Sequence, residues 1–184
     1  FRFDAAKHIS VKAEGSQYTF WENTSEKAKA YAKSSRGIDL YVYGEILDGT
    51  AGPAISAYTT YMSVTDNQTG NGIRNAVASG NAGAAATSYY QKGAPADKVV
   101  LWAESHDTYS NENKESTGVS AVNINKTWAM VASRANATSL YFARTNGYRA
   151  GMIGTIGTYD WKNKEVAEVN KFHNFFHGET EYLA

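Results

Sequence analysis

The sequence predicts an α/β domain built on parallel strands. Along its 184 residues, strand-like segments rich in β-branched and aromatic residues alternate with segments of helical periodicity. This alternation is typical of a parallel sheet with helical crossovers. Hydrophobic residues make up 42% of the chain, which is enough to form a core. A doubly wound sheet and a (β/α)8 barrel both fit the pattern, and both place ligands at the C-terminal ends of their strands.

The predicted strands share either apolar–polar alternation or a high content of β-branched and aromatic residues. In chain order they are 1–6, 38–47, 61–65, 98–106 and 139–143. The predicted helices have apolar residues at helical spacing, small helix-forming residues or flanking glycines. In chain order they are 25–33, 51–60, 73–78, 123–134 and 162–176, the first of which should stop at Arg36-Gly37.

Charge and composition exclude several classes of function. The chain has 18 basic and 18 acidic residues, a balance that argues against a nucleic-acid binder or a polybasic membrane-surface protein. The absence of cysteine excludes disulfides, zinc–thiolate sites and thiol catalysis. No apolar run reaches the length of a membrane span. A neutral polymer would be a natural partner for such a chain.

Acidic residues stand at the predicted C-terminal ends of strands from three parts of the chain. Asp4 ends the first strand, Glu45 the second, and Asp107 directly follows the fourth. In a parallel sheet these ends lie on one rim, so the acids should surround one cleft. A lone acid at a strand end is more often a helix cap or an ion-pair partner, so the hypothesis depends on the three together.

Paired carboxylates are what the hydrolysis of a glycosidic bond requires, one ionised and one protonated. Arg2 lies two residues before Asp4 on the same strand face, and its charge would favour the ionised form of Asp4. Glu45 has apolar neighbours in the sequence, which would favour its protonated form. Glu104 shares strand parity with His106 and could support the site from behind, but the preferred interpretation is an interior acid held by hydrogen bonds.

Three segments resemble, in this order, conserved regions of glycoside hydrolase family 13, the α-amylase family: FRFDAAKHI, GEIL and WAESHD. The resemblance runs from Phe1 to about Asn174 and extends to secreted bacterial α-amylases. It implies a (β/α)8 TIM barrel of which this chain covers strands four to eight only. Residues 1–176 would form the C-terminal half of the catalytic barrel, and residues 177–184 would begin the connection toward a C-terminal β domain.

The resemblance also implies the catalytic roles. Asp4 would be the nucleophile that forms a covalent glycosyl-enzyme, and Glu45 the general acid and then the general base. Asp107 would stabilise the oxocarbenium-like state through sugar hydroxyls. Ser105 stands where many members of the family have Asn, which we interpret as subfamily variation.

Further residues match positions that bind substrate or metal in the family. Arg2 would orient Asp4, and His106 would hydrogen-bond the sugar on the cleaved side. Lys7 and His8 would contact sugars past the cleavage point, a pair that favours an endo-acting α-1,4 enzyme. The backbone carbonyl of His8, not its imidazole, corresponds to a calcium ligand, so a structural Ca²⁺ is expected.

The implied function is endo-hydrolysis, with retention, of α-1,4-glucosidic bonds in starch, glycogen and maltooligosaccharides by a secreted, extracellular bacterial enzyme. Because the segments for strands one to three are not in this chain, activity is expected to need the N-terminal half of the barrel. Two alternatives stay open. One is a glucan transferase of the same family, in which a sugar acceptor replaces water, and the other is an inactive or non-catalytic glucan-binding fragment.

Overall fold

The computed structural model describes residues 1–47, 54–145 and 157–183. Its sheet has five strands, which lie in chain order: β1 (Arg2–Phe3), β2 (Tyr43–Gly44), β3 (Ser63–Thr65), β4 (Val99–Leu101) and β5 (Thr138–Ser139). The α-helices of these ranges are α1 (Lys27–Arg36), α2 (Ile55–Thr59), α3 (Asn67–Ala78), α4 (His106–Ser110), α5 (Ala121–Ala132) and α6 (Lys164–Phe176). The predicted α/β alternation is therefore confirmed.

Neighbouring strands of the sheet are parallel. Arg2 pairs with Tyr43 between β1 and β2, Tyr43 with Ser63 between β2 and β3, and Val64 with Val99 between β3 and β4. Strands that are parallel and follow one another in chain order are compatible with part of a (β/α)8 barrel.

The chain divides into two compact units, one of residues 1–66 with 89–100 and the other of residues 67–88 with 101–184. The core of the first unit lies between β1, β2, β3 and the segments that follow β1. Trp21 is fully buried there, and its ring meets that of Phe3 edge-on with centroids 5.0 Å apart. The other buried hydrophobic residues of this core are Ala6, Val11, Val42, Ile46, Tyr58, Tyr61, Met62 and Val64.

The second unit is organised around α5. The predicted apolar face of this helix is confirmed, since Ile124, Trp128 and Val131 are all buried. The indole N–H of Trp128 donates to the Asn170 side-chain oxygen of α6 at 3.1 Å. Its ring also lies edge-on to that of Tyr141, with centroids 5.2 Å apart.

Strand lengths were predicted wrongly. Of the predicted strand 98–106 only Val99–Leu101 is extended in the sheet, because the next residues face α3 instead. The Ala103 carbonyl accepts a hydrogen bond of 2.7 Å from Arg74. Similarly, the predicted strand 38–47 contributes only β2, and the predicted strand 139–143 contributes only Ser139 to β5.

Helix positions were predicted more closely than strand lengths. The helix predicted at 25–33 appears as a π-helical turn at Glu22–Glu26 followed by α1, which ends at Arg36 and is capped by Gly37. Gly37 has a φ of 66°, the left-handed conformation that favours glycine at a helix end. The helix predicted over 51–60 is shorter, at α2, and residues 51–53 lie outside the described part of the chain.

None of the helices in the described ranges is both long enough and apolar enough to span a bilayer.

Two glycines of α3 allow a matched test of this packing. A Cβ at Gly70 would lie 2.2 Å from the Trp102 carbonyl oxygen, whereas a Cβ at Gly72 would meet nothing within 4 Å. We expect Gly70→Ala to destabilise the protein by about 1–3 kcal/mol through overpacking. Gly72→Ala should instead stabilise it by up to about 1 kcal/mol through helix propensity. Thermal unfolding of the protein carrying this chain measures both, and equal effects of the two substitutions would contradict this packing.

Candidate functional site

The ends of β1 and β2 bring together three of the predicted site residues. The Arg2 guanidinium donates from Nη1 to Asp4 Oδ1 at 2.6 Å, and its Nη2 lies 3.1 Å from Glu45 Oε1. One cation therefore holds two carboxylates that come from neighbouring strands. The sequence predicted the contact with Asp4 but not the contact with Glu45.

Glu45 is held on both of its carboxylate oxygens. While Oε1 faces Arg2, Oε2 accepts a hydrogen bond of 2.9 Å from the Ala5 backbone N–H. The expectation of an apolar environment was therefore wrong for the carboxylate itself, although only 13% of the side chain is exposed. The apolar neighbours Val42 and Ile46 are buried in the core, and they point the glutamate to the opposite side of the strand.

The two carboxylates differ in their access to solvent. The Asp4 side chain is 76% exposed and could contact a bound molecule directly, whereas the Glu45 side chain is mostly buried. The pKa of the Arg2 guanidinium is raised above its ordinary value. Burial lowers this pKa, but the hydrogen bond to Asp4 and the negative charges of Glu45 and Asp4 outweigh the effect of burial. The guanidinium is therefore a permanent cation of the site.

A turn after β1 places the Ala5 N–H. Ala5 has φ 45° and ψ 37°, a left-handed conformation that costs a non-glycine residue about 1–2 kcal/mol. Ala6 follows fully buried, and a Cβ at Gly44 would approach the Ala6 Cβ to 2.9 Å and the Met62 sulfur to 2.5 Å. Only glycine at position 44 lets the turn lie this close to β2.

Lys7 and His8 belong to the 3-10 turn Ala6–His8 that follows. The Tyr58 hydroxyl donates to the backbone carbonyls on both sides of His8. It lies 3.0 Å from Lys7 O and 3.4 Å from Ile9 O. The backbone around His8 is thereby fixed, while the His8 side chain is exposed. No group of three or more His, Cys, Asp or Glu side chains suited to a metal occurs in the described ranges. The His8 carbonyl oxygen is therefore a single possible metal ligand, and one ligand does not make a metal site.

Asp107 lies in the second unit and not at a strand end. It occupies the first turn of α4, whose N-cap is Ser105. The Ser105 hydroxyl accepts from the Thr108 N–H at 3.3 Å, and the Thr108 hydroxyl accepts from the Ser105 N–H at 2.9 Å. Ser105 therefore starts this helix.

His106 and Asp107 are neighbours on the surface of the second unit. His106 Nε2 lies 3.3 Å from Asp107 Oδ2, and the two side chains are 59% and 52% exposed. Within the first unit, the structure brings together Arg2, Asp4 and Glu45. The common rim with Asp107 stays a prediction.

Sequence reasoning missed the partner of Glu104. This acid is only 2% exposed and accepts hydrogen bonds from Arg144 Nε at 2.7 Å and Nη2 at 3.0 Å. The prediction of an interior acid held by hydrogen bonds is confirmed. The available signal was that Arg144 directly follows the apolar segment 139–143. This signal does not identify Glu104 as the partner, because Glu104 is 40 residues away in the sequence.

Comparison with known proteins relates the whole chain to part of larger proteins. An alpha-amylase of Clostridium acetobutylicum is 35% identical over 188 residues, which include 100% of this chain but 23% of the relative. An alpha-amylase of Butyrivibrio fibrisolvens is 30% identical over 213 residues, with 100% and 22% covered. The chain thus spans less than a quarter of the length of these relatives. No protein-family model matches the chain.

The left-handed turn at Ala5 makes a testable prediction. Because Ala5 is exposed, substitutions there act mainly through the backbone. Ala5→Gly should leave stability unchanged or raise it slightly, since glycine adopts a φ of 45° without strain. Ala5→Val should lower the melting temperature, because β-branched residues avoid this region. Thermal unfolding of both variants checks this, and a Val variant as stable as the Gly variant would contradict the turn.

Proposed function

We propose that this chain forms strands four to eight of the catalytic (β/α)8 barrel of an endo-acting α-amylase, a glycoside hydrolase that retains anomeric configuration. The observation that carries the proposal is the clamp of Asp4 and Glu45 by one guanidinium at the ends of adjacent parallel strands. Support also comes from the alpha-amylases that match the whole chain.

The geometry suits a division of labour between the two acids. The exposed Asp4 attacks the anomeric carbon, and Arg2 keeps the Asp4 oxygen oriented and its charge compensated. Glu45 gives a proton to the leaving glycosidic oxygen, and in the second half of the reaction it takes a proton from the attacking water. The Ala5 N–H and Arg2 hold the Glu45 carboxyl in one position during both transfers.

The remaining substrate roles are proposed from the resemblance. Asp107 and His106 bind hydroxyls of the sugar whose bond is cleaved, and Asp107 stabilises positive charge on its ring. Lys7 and the exposed His8 contact the sugars beyond the cleavage point. Contacts on that side of the bond suit a polymer bound across the cleavage point, as in an endo-acting enzyme.

The proposed substrates are starch, glycogen and maltooligosaccharides, and activity would need the N-terminal half of the barrel. That the chain spans less than a quarter of its relatives supports the view that the complete site includes other parts of a longer protein. From the resemblance to secreted bacterial α-amylases, we also propose that the enzyme is secreted.

Covalent trapping tests the nucleophile. In the full-length protein, a fluorinated glucosyl reagent should label Asp4, and peptide mass spectrometry should locate the label. Asp4→Asn should abolish labelling. The matched control is Asp39→Asn, because Asp39 is an exposed acid of the same unit that pairs with Lys33 at 2.8 Å. This control should label normally.

Analysis of the reaction products distinguishes a retaining hydrolase from a glucan transferase and from an inactive protein. Retention predicts that NMR of fresh maltooligosaccharide digests shows the α-anomer first, and initial β-anomer would refute the mechanism. Transfer to an added acceptor sugar in place of hydrolysis would favour the glucan transferase. Absence of both reactions and of labelling would reject an active glycoside hydrolase.

Calcium is proposed as a structural ion with the His8 carbonyl as one of its ligands. Calcium prefers six to eight oxygen ligands, so most of the shell would come from elsewhere in the protein. Chelation should lower the melting temperature of the full-length protein, and added Ca²⁺ should restore it. His8→Ala should keep most of this shift because the backbone carbonyl remains. If chelator leaves the melting temperature unchanged, the proposal of a structural calcium ion is wrong.

A further inference from the structure

We propose that Glu104 and Arg144 are positioning residues that hold the short helix α4, and with it Asp107 and His106, in its working orientation. This inference rests on the proposed function, since it assigns a role in the same reaction. We do not assign either residue a direct contact with substrate, because Glu104 is buried and the Arg144 guanidinium is bound to it.

Arg144 binds several groups besides Glu104. Its Nη2 also donates to the carbonyl oxygens of Ser116 at 3.1 Å and Val119 at 2.9 Å. Its guanidinium carbon lies 4.8 Å from the centre of the Tyr109 ring, a cation–π contact with α4 itself. Arg144 thus joins a buried acid to α4 and to the segment that follows it.

That segment returns to α4 through hydrogen bonds. The Ser116 N–H donates to the Thr108 carbonyl at 2.8 Å, and the two side-chain hydroxyls lie 3.2 Å apart. Thr117 donates from its hydroxyl to the Tyr109 carbonyl at 2.5 Å. Ser116 and Thr108 are both buried, so these bonds are protected from water. Contacts therefore run without a gap from Glu104 to Thr108, the residue next to Asp107.

α4 needs such support. It has only five residues, and isolated helices of this length are unstable in water. Its N-cap fixes the beginning, but His106 and Asp107 in its first turn are exposed to solvent. Buried ion pairs are often no more stabilising than apolar residues of the same size. Orientation of the backbone is therefore a better account of the Glu104–Arg144 pair than stability alone.

A second buried pair of the same unit provides the matched control. Arg134 Nε donates to Glu181 Oε1 at 2.7 Å, and Glu181 Oε2 accepts from the Ala135 N–H at 2.8 Å. Arg134 also donates from Nη1 to the Thr87 carbonyl at 2.9 Å, and neither Thr87 nor Ala135 is a proposed site residue. Glu104→Gln and Glu181→Gln make the same chemical change, so a purely structural role predicts the same consequences for both.

The experiment compares these variants in the full-length protein. Glu104→Gln should lower kcat for maltooligosaccharide hydrolysis by about 10- to 100-fold with little change in KM, because misplacement of a group that acts in the transition state affects the chemical step. Glu181→Gln should lower the melting temperature but leave kcat unchanged. Arg144→Lys, which keeps the charge but loses the planar fork, should behave like Glu104→Gln.

Hydrogen exchange gives a readout that does not depend on activity. In Glu104→Gln or Arg144→Lys, amide exchange should become faster in residues 105–119 while α6 stays protected, and Glu181→Gln should not show this pattern. A fall in kcat with faster exchange supports the proposal. Unchanged kcat, or unchanged exchange in 105–119, overturns it. If the wild-type protein cleaves no α-glucan, the proposed function has failed and the exchange comparison alone decides the positioning role.

Discussion

The guanidinium of Arg2 lies between two carboxylates that would repel each other without it. The planar fork of arginine gives each of its terminal nitrogens to a different acid, so Asp4 and Glu45 can stand close together and stay ordered. The parallel pairing of Arg2 with Tyr43 brings the ends of β1 and β2 side by side, which makes this contact possible. A shift of register by one residue would turn Glu45 to the other face of the strand.

Arginine is used differently in the second unit. Arg144 gives two hydrogen bonds to a single buried acid, Glu104, and two more to backbone carbonyls. In the first unit the arginine leaves one of its two acids, Asp4, open to solvent. The same type of side chain therefore holds two carboxylates in one unit and the path of the backbone in the other.

The sequence predicted the alternation of strands and helices and the position of Glu45 after β2 better than it predicted contacts or the position of Asp107. Apolar patterning locates a strand such as β2, and an acid after it must lie at the C-terminal end of that strand. The length of β4 could not be predicted because the backbone after it is bound by Arg74 of α3. The pairing of Glu104 with Arg144 was missed for the same reason, since local pattern carries no information about partners distant in the sequence.

Ala5 shows how the core and the site depend on each other. Its left-handed backbone is strained, and strain of this kind persists only where the surrounding structure determines the conformation. On one side Phe3 packs against the buried Trp21, and on the other Ala6 is enclosed beside Gly44. These flanks fix the turn, and the turn aims the Ala5 N–H at Glu45. With an extended residue at position 5 the N–H would point elsewhere, and Glu45 would keep only Arg2. Burial of apolar residues thus stabilises a local conformation that the acids require but could not maintain alone.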